Sequence, residues 1–339
     1  MYSNPHHKAN ACAIAIAYPD FYIVPEQRWY MSVFKAMGMV RKGMISAGHA
    51  GIILINKENG EIKYADFGRY CTPNGKGRVR MLDTDPELKI NLNAAFNKKG
   101  RLLNLEEILY FFEKRNDITE GVGPMFASLN ENLNYAKADN YIKSLATKGS
   151  IPYNLTKTDS SNCARFVADT ICKATYDERS IYKFKNHYKP FVSPLGNVYC
   201  NAAGRPIYKV ENGTIEAYDK NGILAILNFL WFNSPNESNM PYKNLEGKYA
   251  EPDRSGIPAK AQWLGGYADG AWFEIKDQCS ASLLINKYNS NKSKVFQKTF
   301  LDTTKQFNSN ASYQFTYDSN AMQCSVIQNG NPFHFKFIE

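Results

Sequence analysis

The sequence predicts an α+β fold, a mixed domain with an antiparallel sheet followed by a small all-β domain. Three observations carry this. Helix-period apolar stripes alternate with short strand-like runs over the first two thirds of the chain; residues 233–260 then hold four prolines and little apolar periodicity; from Ala261 only short strand-like runs remain. A chain of 339 residues exceeds the usual single-domain length. The expected division is 1–235 for the first domain, 236–260 for a linker and 261–339 for a β meander or barrel.

In chain order, the alternating Ala/Ile run Ala11–Tyr18 reads as a first strand, too short and too soon ended by Pro19-Asp20 for a signal peptide. Trp29, Val33, Phe34, Met37 and Val40 recur at helical spacing over about 27–42. A hairpin follows, with strand His49–Ile55, the turn signal Lys-Glu-Asn-Gly at 57–60 and a returning strand from Glu61 to about Phe67. Asn104-Leu-Glu-Glu107 has the form of a capping box opening a helix to about Arg115. Further helices are expected over 128–148 and from Asn162, and GILAILNFLWF (222–232) reads as a buried helix, about half the length of a membrane span. In the tail, QWLGGY, AWFEI, ASLLINKY, KVFQKTFL, SYQFTY, QCSVIQ and FHFKF read as strands.

A net charge of +9 suits an anionic partner surface such as a nucleic acid, an anionic lipid or an acidic wall polymer. The lysines are scattered along the chain, which describes a solvated face rather than a nucleic-acid-binding stripe, and no membrane insertion is expected. Seven cysteines form an odd, widely spaced set without CxxC pairs, so neither a disulfide framework nor a metal site is expected, and synthesis in a reducing cytoplasm is. No cofactor is expected.

Two stretches carry chemistry. In "IPYNLTKTDSSNCARFVADTI" (151–171), Ser-Ser-Asn caps a helix whose first residue is Cys163, at the positive end of the helix dipole, where a thiol is shifted toward its nucleophilic thiolate. In "AGHAGIILINKENGEIKYADFGRY" (47–70), a turn centred on Glu58-Asn59 or Asn59-Gly60 places His49 opposite Gly68 or Tyr70. Side-chain alternation then puts Tyr64, Asp66, Gly68 and Tyr70 on the face of His49, with Asp66 a diagonal neighbour able to orient the imidazole. Cys163, His49 and Asp66 are the nucleophile, base and orienter of a cysteine hydrolase, with Tyr64 or Glu61 as alternatives for the third place. His6, His7, His187 and His334 have no carboxylate or cysteine cluster in sequence and read as structural or exposed.

"GHAGIILI" with its hairpin, and "PY" upstream of "NCARFV", resemble the circularly permuted papain-like hydrolases, relatives of the NlpC-type cell-wall amidases whose histidine strand precedes the cysteine helix. The likeness covers roughly 10–235, with residues 73–150 packed as an insertion beside the site. The whole chain also resembles a Bacteroides-type family with a tail bearing "WLGGYADGAWF". The resemblance implies that Cys163 attacks, His49 transfers the proton, Asp66 holds the ring and Tyr153 shapes the site. It implies cleavage of an amide bond in peptidoglycan peptides, with a secretion machine or an inhibitor protein as further partners. The enzyme would be made in the bacterial cytoplasm without a Sec signal and reach the wall by another route. The same triad on relatives similar to lecithin:retinol acyltransferase would move acyl groups on lipids, and a shell without catalysis would be a binding protein.

Overall fold

In the computed structural model the described residues are 9–20, 22–23, 32, 35–36, 40–41, 44–46, 48–154, 159–187, 193–219 and 249–338. The chain divides into two compact units, Met1–Phe67 with Ile90–Ser144 and Asn162–Lys243, and Gly68–Lys89 with Leu145–Ser161 and Asn244–Glu339. The expected helix 222–232, most of the expected linker 236–260, and His6 and His7 lie outside the described residues.

The first unit is built on strands β1 (Ala11–Tyr18), β2 (His49–Asn56), β3 (Ile62–Gly68), β4 (Met125–Leu133), β5 (Ile207–Glu211) and β6 (Thr214–Ala217), in the order β6-β5-β4-β1-β2-β3. Every pairing in this series is antiparallel. Helices α1 (Leu105–Glu113), α2 (Tyr135–Ala146), α3 (Cys163–Ala174), α4 (Glu178–His187) and α5 (Pro194–Ala202) accompany the sheet. All eight residues of β1 are buried, as a central strand requires. Its alanines leave room for α5: Ala17 packs with Leu195, Val198 and Ala202, and the Asn201 side chain donates to the Ser128 carbonyl at 2.8 Å. Ser193 caps α5 by accepting from the Gly196 N–H, and Pro194 occupies the first turn, where its missing donor is harmless.

Three local expectations are corrected. The helix expected over 128–148 begins at Tyr135, because Met125–Leu133 is an interior strand paired with β1 and β5. Residues 73–150 therefore supply a sheet strand and are more than an insertion beside the site. Of the helix expected over 27–42, Val40–Arg41 is a strand paired with Met44–Ser46, and most of the remainder lies outside the described residues. Asn104 precedes α1 as expected and donates to the Glu107 carboxylate at 2.9 Å, but its oxygen accepts from the Ala95 N–H instead of capping the helix.

The second unit holds strands β7 (Gln262–Leu264), β8 (Ala271–Cys279), β9 (Ser282–Asn289), β10 (Lys294–Asp302), β11 (Gln314–Phe315), β12 (Gln323–Gln328) and β13 (Asn331–Phe337) in the order β7-β8-β9-β10-β13-β12-β11. The Gln262 side chain bridges the two end strands, donating to the Tyr313 carbonyl at 2.9 Å and accepting from the Phe315 N–H at 2.8 Å, so the sheet nearly closes. Phe273, Leu283, Ile285, Phe300, Val326 and Phe335 fill its interior. The same unit includes the strand Lys76–Arg80, paired with Ile151–Pro152. There a buried ion cluster ties residues 78–87 to β9: Arg78 grips Asp85 through two bonds of 2.7 and 2.6 Å, and Lys287 reaches Asp85 at 3.3 Å and Glu87 at 2.9 Å.

Candidate active site

The hairpin fixes the first half of the site. Gly60, at φ +74°, closes the turn with its N–H on the Asn56 carbonyl, and the ladder runs from Ile55 opposite Ile62 to Gly51 opposite Asp66. In this register residues 49, 51 and 53 share a face with 64, 66 and 68. His49 opens β2 directly after Gly48, whose φ of +64° and close approach to Pro194 Cγ (3.0 Å from an added Cβ) disfavour any side chain there.

Gly51 has a different task. A Cβ at this position would lie 2.6 Å from the Tyr64 hydroxyl, so the bare glycine lets the Tyr64 ring lie across the strand. Tyr64 then donates to Asp66 Oδ2 at 2.9 Å, and the same oxygen meets His49 Nε2 at 3.2 Å. Asp66 is fully buried and His49 nearly so. Tyr64, the alternative for the third position, thus serves Asp66, while Glu61 is engaged with the Tyr135 hydroxyl at 3.2 Å and Lys63 at 3.7 Å. The sequence contains the Tyr64–Gly51 pairing as a cross-strand diagonal, but nothing in the pattern alone says which tyrosine ring covers which glycine.

The second half comes from α3. Asn162 caps the helix by accepting from the Arg165 N–H at 2.9 Å, which makes Cys163 the first helical residue. The Asn197 side chain donates to the Ala164 carbonyl at 2.8 Å, and Phe166 packs near Phe67 with ring centres 6.4 Å apart, so the first turn is held from two sides. The Cys163 thiol is hydrogen-bonded to His49. Burial pulls the His49 pKa down, but the bonds to Asp66 and Cys163 and their charges outweigh it and raise it to about 9. An imidazole in this state holds its proton through neutral pH.

The other cysteines differ. Burial pushes the thiols of Cys12, Cys71 and Cys200 up to about 12 and that of Cys172 to about 11, and raises that of Cys324 as well. Cys279 is exposed. Tyr153 lies in the second unit, following Ile151–Pro152, with its N–H on the Gly75 carbonyl at 2.9 Å and a bridge to Ser161. His334 is two-thirds exposed and meets Ser325 Oγ at 2.8 Å, and His187 ends α4. Among the described residues no group of three or more His, Cys, Asp or Glu side chains could hold a metal ion.

With this geometry in view, the comparisons are specific to the two parts of the chain. Residues 13–180 match the family of type VI secretion system effectors described as TseH-like. That segment contains His49, Asp66, Tyr153 and Cys163. Residues 261–338 match a second family, the DUF6695 C-terminal domain. A solved crystal structure of the type VI secretion system effector TseH is 20% identical, with a TM-score of 0.42, over 62% of this chain and 99% of that one. No curated protein matches. No helix among the described residues is long and apolar enough to cross a membrane.

Proposed function

We propose that the chain is a secreted effector that hydrolyses an amide bond in peptidoglycan peptides by thiol catalysis, delivered by a type VI secretion machine. The observation that carries this reading is a buried imidazole hydrogen-bonded to Asp66 and interacting with the Cys163 thiol at a helix N-terminus. The match of residues 13–180 to TseH-like effectors supports the delivery route, and the net charge of +9 suits a wall polymer rich in carboxylates.

In this mechanism His49 rests as the imidazolium beside a Cys163 thiolate, and Sγ attacks the scissile carbonyl carbon. The oxyanion forms at the start of α3, where the helix dipole and the Cys163 backbone N–H favour negative charge. His49 gives its proton to the leaving amine as the C–N bond breaks, which leaves a thioester on Cys163. Water, deprotonated by His49, then attacks the thioester, and Cys163 Sγ leaves with the acyl group released as a carboxylic acid. Asp66 keeps the ring oriented and stabilises the imidazolium.

The test is alkylation by iodoacetamide at pH 6, mapped by mass spectrometry. Cys163 is expected to react much faster than Cys172, whose thiol burial holds near 11, and faster than exposed Cys279. His49→Ala is expected to slow Cys163 alkylation and to abolish turnover of purified sacculi. A Cys163 that reacts no faster than Cys172, or a Cys163→Ala variant that still digests sacculi, would remove the nucleophile from the proposal.

A further inference from the structure

We infer that the loop Leu264–Gly270 of the C-terminal domain is a positioning element for the proposed hydrolase, acting through a buried Arg69 stacked against Tyr267 and close to Tyr153. The inference rests on the thiol-hydrolase reading above. It starts from a stacking arrangement within the second unit. The Arg69 guanidinium carbon lies 3.6 Å from the centre of the Tyr267 ring and 5.1 Å from that of Tyr153. Arg69 and Tyr267 are almost wholly buried. A desolvated guanidinium over an aromatic face is among the stronger cation–π contacts, of the order of 2 kcal/mol.

The backbone repeats the grip. The Ala268 N–H donates to the Arg69 carbonyl at 3.1 Å, and the Cys71 N–H donates to the Asp269 carbonyl at 2.8 Å, so Arg69–Cys71 is tied to the loop from both directions. Gly266 makes the approach feasible, because a Cβ there would stand 2.3 Å from the Asp269 carbonyl oxygen and 2.4 Å from the Cys71 nitrogen. No flexible side-chain end could yield to that clash, since the atoms met are backbone.

Covalent order gives the clamp its consequence. Asp66 lies on β3, which runs through Gly68 directly into Arg69. Tyr153 lies on the segment that leads through Ser161 to the cap of α3 and Cys163. The chain leaving the orienting carboxylate and the chain approaching the nucleophile are therefore both gripped by one cation and one loop. Catalytic hydrogen bonds tolerate little displacement, and a shift near 1 Å can cost about a hundredfold in rate. Tyr267 and Arg69 are positioning residues in this account: they act through β3 and Tyr153.

The experiment uses the full chain and three variants, Tyr267→Ala, Tyr267→Phe and Arg69→Met, each checked for folding by circular dichroism. Two readouts are taken: the pH profile of Cys163 alkylation by iodoacetamide, and hydrogen exchange at the Cys71 amide. Tyr267→Ala and Arg69→Met are expected to slow alkylation at pH 6 about tenfold and to speed exchange at Cys71, while Tyr267→Phe, which keeps the ring, stays within about twofold of the parent on both. Folded Tyr267→Ala protein with faster Cys71 exchange and an unchanged alkylation profile would overturn the inference while leaving the hydrolase reading intact. Slow, His49-independent alkylation in the parent chain would instead overturn the hydrolase reading. Should Tyr267→Ala fail to fold, Arg69→Met alkylating at the parent rate would overturn the inference on its own.

Discussion

Each compact unit buries a cluster of charge-bearing side chains, and the two clusters differ in what their charges can do. In the second unit Asp85 receives two bonds from Arg78 and one each from Lys287 and Thr84. Although burial opposes ionisation of all three charged groups, the cations hold the Asp85 carboxyl well below the usual carboxylate range, and the carboxylates raise Arg78 and Lys287 further. Each group in this cluster holds its oppositely charged neighbours in the charged form. In the first unit Asp66 meets the Tyr64 hydroxyl and the His49 ring, a neutral and a titratable partner, and His49 meets a thiol. Burial and charge are common to both clusters. What sets the first apart is a proton able to move within the biological pH range, and that is the requirement for acid–base chemistry.

The sharpest way to break the comparison is to remove one cation from the fixed cluster. Arg78→Met leaves Asp85 buried with Lys287, Thr84 and the charge of Arg80 but without its two shortest bonds, and breaking a buried pair by removing one partner costs roughly 3–5 kcal/mol. The urea midpoint is expected to fall accordingly, with Cys163 alkylation unchanged in whatever fraction remains folded. A midpoint within experimental error of the parent would mean that the Arg78–Asp85 pair is no more important than a surface contact.

A smaller effect separates the clusters by pH. The folded-state His49 pKa lies at about 9, above its ordinary 6.5, so its contribution to stability is fully present below about 6.5 and is lost as pH rises through 9. The loss is expected to be of the order of 1–3 kcal/mol, read as a urea midpoint that declines between pH 6.5 and 9.5. His49→Ala is expected to flatten that decline. A variant that keeps the full decline would show that groups other than His49 produce it.

What could be read from the sequence follows the range of the interactions. The hairpin register and the helix opening at Cys163 rest on neighbours: a Lys-Glu-Asn-Gly turn fixes which residues face one another, and Asn162 caps the turn that begins beside it. His49 and Asp66 follow from strand parity once that register is set. Met125–Leu133 was not legible, because its position inside the sheet is decided by β1 and β5, strands far away in the chain. The Asp85–Lys287 contact joins residues 202 positions apart, and the contacts of Arg69 with Tyr153 and Tyr267 draw on three separate segments, so no local window contains either. Scattered lysines read as a solvated face hid one, Lys287, that is buried in an ion cluster.

The next smaller effect concerns the group that holds His49 charged. Asp66→Asn removes the hydrogen bond and the negative charge that raise His49 against its burial, so the basic limb of the turnover profile is expected to move down from near pH 9 by at least one unit. The rate at its optimum is expected to fall as well, because an amide can orient the ring but cannot stabilise the imidazolium. An unmoved basic limb would place the limb on another group.

The smallest expected effect has the opposite sign. Tyr64 and His49 share a single oxygen, Asp66 Oδ2, at 2.9 and 3.2 Å, and each bond the carboxylate accepts from one partner weakens what it offers the other. Tyr64→Phe removes the competing donor while keeping the ring that lies across Gly51, so packing is conserved. Asp66 then becomes the stronger acceptor for His49, and the basic limb is expected to move up by a few tenths of a unit rather than down. Optimal turnover is expected to change by less than about threefold, since one neutral hydrogen bond is worth about 1 kcal/mol. Opposite shifts in Asp66→Asn and Tyr64→Phe would establish that the carboxylate charge, divided between two donors, sets the His49 proton affinity. A downward shift in both would mean that Tyr64 acts by holding Asp66 in place, and that its hydroxyl supports the carboxylate more than it competes with the ring.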